Sequence, residues 1–161
     1  MPAELVFDQG LGDLFVIRVA GNIVAPSQVG SIEFAASRYD VRLVVVMGHT
    51  KCGAIAATIE ELRQPVEKQS RNLRSIVDRV RPWVQTLMET PLRHDEDALI
   101  AHSVRANVRA SVNHLKHASE ILEELIDHQG LMVVGAEYCL ESGVVEFLDE
   151  DMPGLVQGMR E

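Results

Sequence analysis

His49 and Cys52 stand three residues apart in Gly48-His49-Thr50-Lys51-Cys52-Gly53. An imidazole nitrogen and a thiolate are donors that a borderline metal such as zinc accepts. A second chemistry uses the same pair: a thiolate at a helix start is favoured by the helix dipole, and a neighbouring imidazole can serve it as base. The pair alone does not choose between them. Other chemistry-bearing residues read more simply. Cys139 reads as strand packing, and His114 and His117, three apart, as surface histidines. Asp8 and Asp13 flank Gly10 and Gly12, which suits turns better than paired catalytic carboxylates. Glu123-Glu124 and Asp149-Glu150-Asp151 read as solvated faces. Gly48 to Lys51 is not a phosphate-binding loop, because GxxxxGK[ST] is absent, and a nucleotide-binding reading has little support.

The elements around His49 and Cys52 say where the pair sits. Arg42 to Gly48 is a nearly continuous apolar run, the pattern of a buried parallel strand. Gly53 to about Arg63 suits a buried helix, so His49 and Cys52 fall at the carboxyl end of a strand, where α/β folds gather ligands. Upstream, residues 2–9 read as a short helix or turn. Leu14–Ala20, rich in β-branched residues, reads as a strand. A helix then runs to about Tyr39, with Ser27 as a possible N-cap. Downstream, Gln69–Met88 reads as helical, kinked or divided at Pro82. Asp95–His128 reads as one long amphipathic helix ended by Gly130, with Val104, Val108, Val112, Leu115, Ile121, Leu122 and Leu125 on its stripe. Leu131–Ala136 reads as a second buried strand, and Ser142-Gly143 turns into a hairpin partner at Val144–Leu148. The tail 149–161 reads as a loose end. Strands alternating with helices predict an α/β fold with a mainly parallel sheet, crossover helices and one antiparallel strand at the end.

The totals set limits. At 161 residues and 47% hydrophobic, the chain suits one globular domain over 1–161. A net charge of −9 disfavours nucleic acid and anionic membrane as partners. Two cysteines exclude a disulfide framework and a four-cysteine zinc site within one chain. No long apolar run or leader pattern is present, so a soluble, cytoplasmic protein is expected.

Four stretches together resemble the β-class carbonic anhydrases. They are residues 7–22 (FDQGLGDLFVIRVAGN), 48–54 (GHTKCGA), Asn107-Val108 with Val112 and Leu115, and Val133–Tyr138 with Ser142-Gly143 and Val145–Phe147. The resemblance spans nearly the whole chain. It implies a zinc enzyme that reversibly hydrates carbon dioxide to bicarbonate and a proton. In that family two Cys, one His and an exchangeable Asp or water surround the metal, which lowers the water's pKa to about 7. His49 and Cys52 match two of the metal-ligand positions, and Phe15 and Ala20 fall where the family builds an apolar substrate wall. The resemblance also implies a homo-oligomer, a dimer or larger.

One part of the family pattern has no match. A Cys-x-Asp-x-Arg motif, which supplies the first thiolate, should stand just before Pro2, and none occurs in the chain. Two ligands are too few for a closed tetrahedral site. In the family the strand leading into that motif is central in the sheet. Its loss leaves Leu14–Ala20 and Arg42–Gly48 without the strand between them, and unpaired buried backbone groups are costly. Direct pairing of the two strands, a segment from another subunit, or residues upstream of Met1 would close the gap. A truncated sequence and a truly short homologue both fit. No complete catalytic set is expected here, so an inactive homologue, kept as an oligomer or interaction module, stands beside the enzyme; the Cys52 thiol is the third alternative.

Overall fold

The computed structural model describes residues 2–64 and 70–148. The fold is α/β. Helix α1 spans Ala3–Val6, and a 3-10 turn spans Ala20–Asn22. Helix α2 (Pro26–Arg38) leads to strand β1 (Leu43–His49) and helix α3 (Gly53–Arg63). Helix α4 (Arg71–Met88), a 3-10 turn (Pro91–His94), α5 (Glu96–Lys116) and α6 (Glu120–Gln129) follow. Strands β2 (Met132–Tyr138) and β3 (Val145–Phe147) come last. Among the described residues the sheet has the order β1-β2-β3, with β1 parallel to β2 and β3 antiparallel to it. The register sets Val46 beside Gly135 and His49 beside Tyr138.

Helix α5 is the spine. Its N-terminal half packs Leu99 and Val104 against Ile55 and Ile59 of α3 and Val80 and Val84 of α4. Its C-terminal half packs Val108, Val112 and Leu115 against Val46, Val133, Leu122 and Leu125. Each such side chain contributes about 1.5–3 kcal/mol when fully removed from water. The Val104–Leu125 stripe is therefore buried inside this chain except at Ile121, which is exposed.

Four other expectations are corrected. First, the single helix over 95–128 is two. Ser119 caps α6 by accepting a hydrogen bond from Leu122 N–H at 3.2 Å, and Asp95 caps α5 through Ala98 N–H at 3.0 Å. Gly130 does end α6, in the left-handed region (φ 71°), with Leu131 N–H returning to the Leu125 carbonyl. Second, α4 runs through Pro82 undivided. Pro82 is exposed, so the Asp78 carbonyl that loses its amide partner lies on the water side. Third, the cap of α2 is Ala25 with Pro26 at the first helical position, not Ser27. Fourth, Leu14–Val19 is not a strand. Ladder formation needs a neighbour, and none reaches this segment among the described residues; residues 20–22 turn instead. The tail 149–161 lies outside the described residues. No helix among them is long and apolar enough to cross a membrane.

Candidate metal-ligand groove

The turn from β1 into α3 carries the pair. Lys51 sits at φ 55°, and Cys52 is the N-cap of α3, its carbonyl accepting from Ala56 N–H at 3.1 Å. The turn is clamped from the β2–β3 hairpin. Thr50 N–H donates to the Tyr138 carbonyl at 3.0 Å. Thr50 Oγ1 accepts from Leu140 N–H at 3.0 Å and donates to Glu141 Oε2 at 3.1 Å. Lys51 forms an ion pair with Glu141. The Lys51 hydrogen bond is the chief reason the Glu141 carboxyl is held down to about 2. Glu141 carries no signal in the sequence, because it reaches Thr50 from 91 residues away along the chain.

His49 Nδ1 lies 2.9 Å from the Thr50 carbonyl. A carbonyl accepts only, so that contact places the proton on Nδ1 and leaves the Nε2 lone pair free, the arrangement a metal-ligating imidazole uses. Cys52 is buried, packed with Ile23, Ile55 and Val104. Cys139 is not strand packing: it follows β2 in the hairpin turn, half-buried, with its thiol 3.5 Å from Glu141 Oε2. His114 and His117 are exposed, and His117 faces Glu123. Asp13 is a turn residue, as read, accepting from Gly10 N–H at 2.8 Å.

A groove of about 370 Å³ runs between residues 15–24 and the edge of β1. His49, Cys52, Phe15 and Ala20 all line it, so the structure gathers the four sequence candidates on one groove. Phe15 is 47% exposed and faces Tyr39 at a ring separation of 6.3 Å. The 20–22 turn forms one end of the groove. Gly21 takes φ 69°, and a Cβ there would come within 3.1 Å of Ala54. Buried Asn107 donates to the Gly21 carbonyl at 2.7 Å, and Ser111 donates to the Asn22 carbonyl at 2.9 Å, so α5 holds this turn in place. The helical periodicity around Asn107 and Ser111 carries no sign of these ties to the 20–22 turn.

The carbonic anhydrase family model matches residues 1–145. A carbonic anhydrase of Mycolicibacterium smegmatis is 36% identical over 144 residues, covering 89% of this chain and 67% of that protein. Carbonic anhydrase 2 of Mycobacterium tuberculosis is 36% identical over 141 residues, covering 88% of this chain and 65% of that protein. Among solved structures, a β-carbonic anhydrase of Aspergillus fumigatus matches with TM-score 0.80 at 27% identity, over 92% of this chain and 69% of that one. The chain belongs to the β-class carbonic anhydrases. It spans about two thirds of the length of the curated relatives it matches. A tetrameric β-carbonic anhydrase of Sordaria macrospora shares the fold, with TM-score 0.77 at 23% identity over 91% of this chain and 74% of that one.

β-Carbonic anhydrases are zinc enzymes, so the donor set here can be tested against zinc. His49 and Cys52 are two donors of suitable type. Among the described residues no group of three His, Cys, Asp or Glu side chains is placed so that it could hold a metal ion. A tetrahedral protein site needs three or four. The described residues therefore do not by themselves fit the metal.

Proposed function

We propose that this chain carries the His–Cys half of a β-carbonic anhydrase zinc site and does not hydrate carbon dioxide with these residues alone. Reversible hydration of carbon dioxide to bicarbonate is the family reaction. Here it requires donors from outside the described residues. One observation carries the reading: His49, with its Nε2 free, and Cys52 line one groove, and among the described residues no third donor joins them. Phe15 and Ala20 on the same groove are the proposed apolar wall for carbon dioxide. The exposed Leu43, Met132 and Phe147, together with a tetrameric relative, support a homo-oligomer. The Cys52 thiol alternative gains no support, because Cys52 is 6% exposed.

Metal analysis of the purified chain, paired with a stopped-flow carbon dioxide hydration assay, tests the reading. Zinc well below one per chain and no activity above buffer are expected. About one zinc per chain with activity would overturn it. Fast alkylation of Cys52 at neutral pH would revive the thiol alternative.

A further inference from the structure

A second groove, of about 620 Å³, opens between α2, the middle of α4 and the C-terminal half of α5. It shares Ile23 and Val24 with the metal-ligand groove but holds none of His49, Cys52, Phe15 or Ala20. Its size falls in the roughly 300–1,000 Å³ range of small-molecule sites. Val29, Pro82 and Ala110 give it an apolar body beside Trp83, which is 44% exposed. Three side chains on the lining keep unused capacity. Asn107 is 2% exposed; its Nδ2 donates to the Gly21 carbonyl, and its Oδ1 accepts no hydrogen bond among the described residues. Glu33, half-buried on α2, forms no ion pair among them. Trp83 has no ring or hydrogen-bond partner among them. The other formal charges on the lining are engaged: Asp78 pairs with Arg81 at 3.5 Å, and Arg79 turns NH1 back to the Ser75 carbonyl at 2.7 Å.

We propose that this groove binds a small organic cation with a flat body, an amidinium, a guanidinium or an aryl ammonium. Each unused group selects for that chemistry. A half-buried carboxylate without a partner is stabilised by a positive charge beside it. The Asn107 amide oxygen is an acceptor only, so it is satisfied by an N–H donor and not by an anion. An indole ring attracts cations to its face more strongly than the other aromatic side chains do. An anion would find Arg79 alone, an exposed guanidinium partly bound to Ser75. The chain's net charge of −9 also draws cations and repels anions. The amide that offers Oδ1 holds Gly21 with its other end, so the bound cation lies one side chain from the turn that ends the metal-ligand groove. The site needs no metal and stands apart from the half-site reading.

Trp83 is the single tryptophan of the chain, so tryptophan fluorescence reads this groove directly. Benzamidine, benzamide and benzoate have nearly one shape and carry a positive, a zero and a negative charge at neutral pH. Benzamidine is expected to change the fluorescence saturably and to bind at least about tenfold more tightly than benzamide, with benzoate weakest. The side-chain amide signals of Asn107 shift in the same titration. Glu33→Gln keeps the shape and removes the charge; it weakens benzamidine at least about tenfold and leaves benzamide within about twofold. Gly30→Leu fills the groove from α2. A Cβ at Gly30 meets nothing within 4 Å and the residue is exposed, so the fold is kept, by circular dichroism and thermal midpoint, while the benzamidine response is lost. No saturable response to benzamidine overturns the proposal, as does benzamide or benzoate binding as tightly. A folded Glu33→Gln or Gly30→Leu protein that binds benzamidine as the parent does also overturns it.

Discussion

Gly48→Ala tests the packing that aims His49. Gly48 sits in β1 over α5, one residue before His49. A Cβ built there would lie 2.7 Å from Val108 Cγ2 and 3.1 Å from Val104 Cγ1. Carbon atoms rest at about 3.5–4.0 Å, so the nearer contact falls short by about 0.8 Å. Neither neighbour can yield cheaply. Val108 and Val104 are 0% and 1% exposed, and valine on a helix holds essentially one χ1 rotamer. Strand β1 must instead lift away from α5, carrying His49 with it. Overpacking of this kind costs roughly 1–3 kcal/mol. Urea unfolding measures it, as a lowered midpoint at unchanged slope. Gly53→Ala is the control: it meets nothing within 4 Å and lies in a helix, so it is neutral or stabilising by up to about 1 kcal/mol. A Gly48→Ala protein within about 0.5 kcal/mol of the parent would refute the reasoning, because β1 and α5 would then have room that the geometry denies.

Three further outcomes follow from the same contacts. The Glu141 carboxyl titrates near 2 by NMR, and Lys51→Ala moves it up toward 4.5; a midpoint unmoved by Lys51→Ala would break the assigned cause. With the folded value depressed, the pair's contribution is present above the ordinary carboxylate value of 4.5 and is lost as the pH falls through about 2. Ser119→Ala removes the cap of α6 and lowers stability by about 0.5–2 kcal/mol in chemical denaturation, whereas Ser27→Ala, which caps nothing, stays within about 0.5 kcal/mol. Arg105→Ala strips the cation from Glu137, a carboxylate only 6% exposed whose Oε2 accepts from Arg105 and whose Oε1 has no hydrogen bond; a loss of about 1–3 kcal/mol is expected, and Glu137→Gln in the same background should recover part of it in a double-mutant cycle.

Much was legible from the sequence because it is local. The apolar run 43–47 and the glycine after it specify a buried strand and a turn whatever lies around them, so β1, α3 and the place of His49 and Cys52 follow from spacing alone. The same holds for Gly130 at the end of α6 and for the hairpin after Tyr138. Ser119 was local too but easy to miss, since the apolar spacing runs on across the break between α5 and α6.

Tertiary structure decided what depends on a neighbour. Leu14–Val19 has strand composition, yet a strand exists only as one side of a ladder, and no sequence window contains the other side. Whether the Val104–Leu125 stripe faces a partner or the chain's own sheet is likewise a question of what packs on it, and here the sheet and α6 do. Asn107 and Ser111 hold the 20–22 turn, and Glu141 clamps Thr50 and Lys51, through contacts between residues far apart in sequence that no periodicity encodes. The sequence by itself singled out a histidine and a cysteine as candidate metal donors, with thiol chemistry as the alternative. Only the folded chain placed both on one groove, because that groove is made by residues 15–24 packing across from β1, segments that no single stretch of sequence holds together.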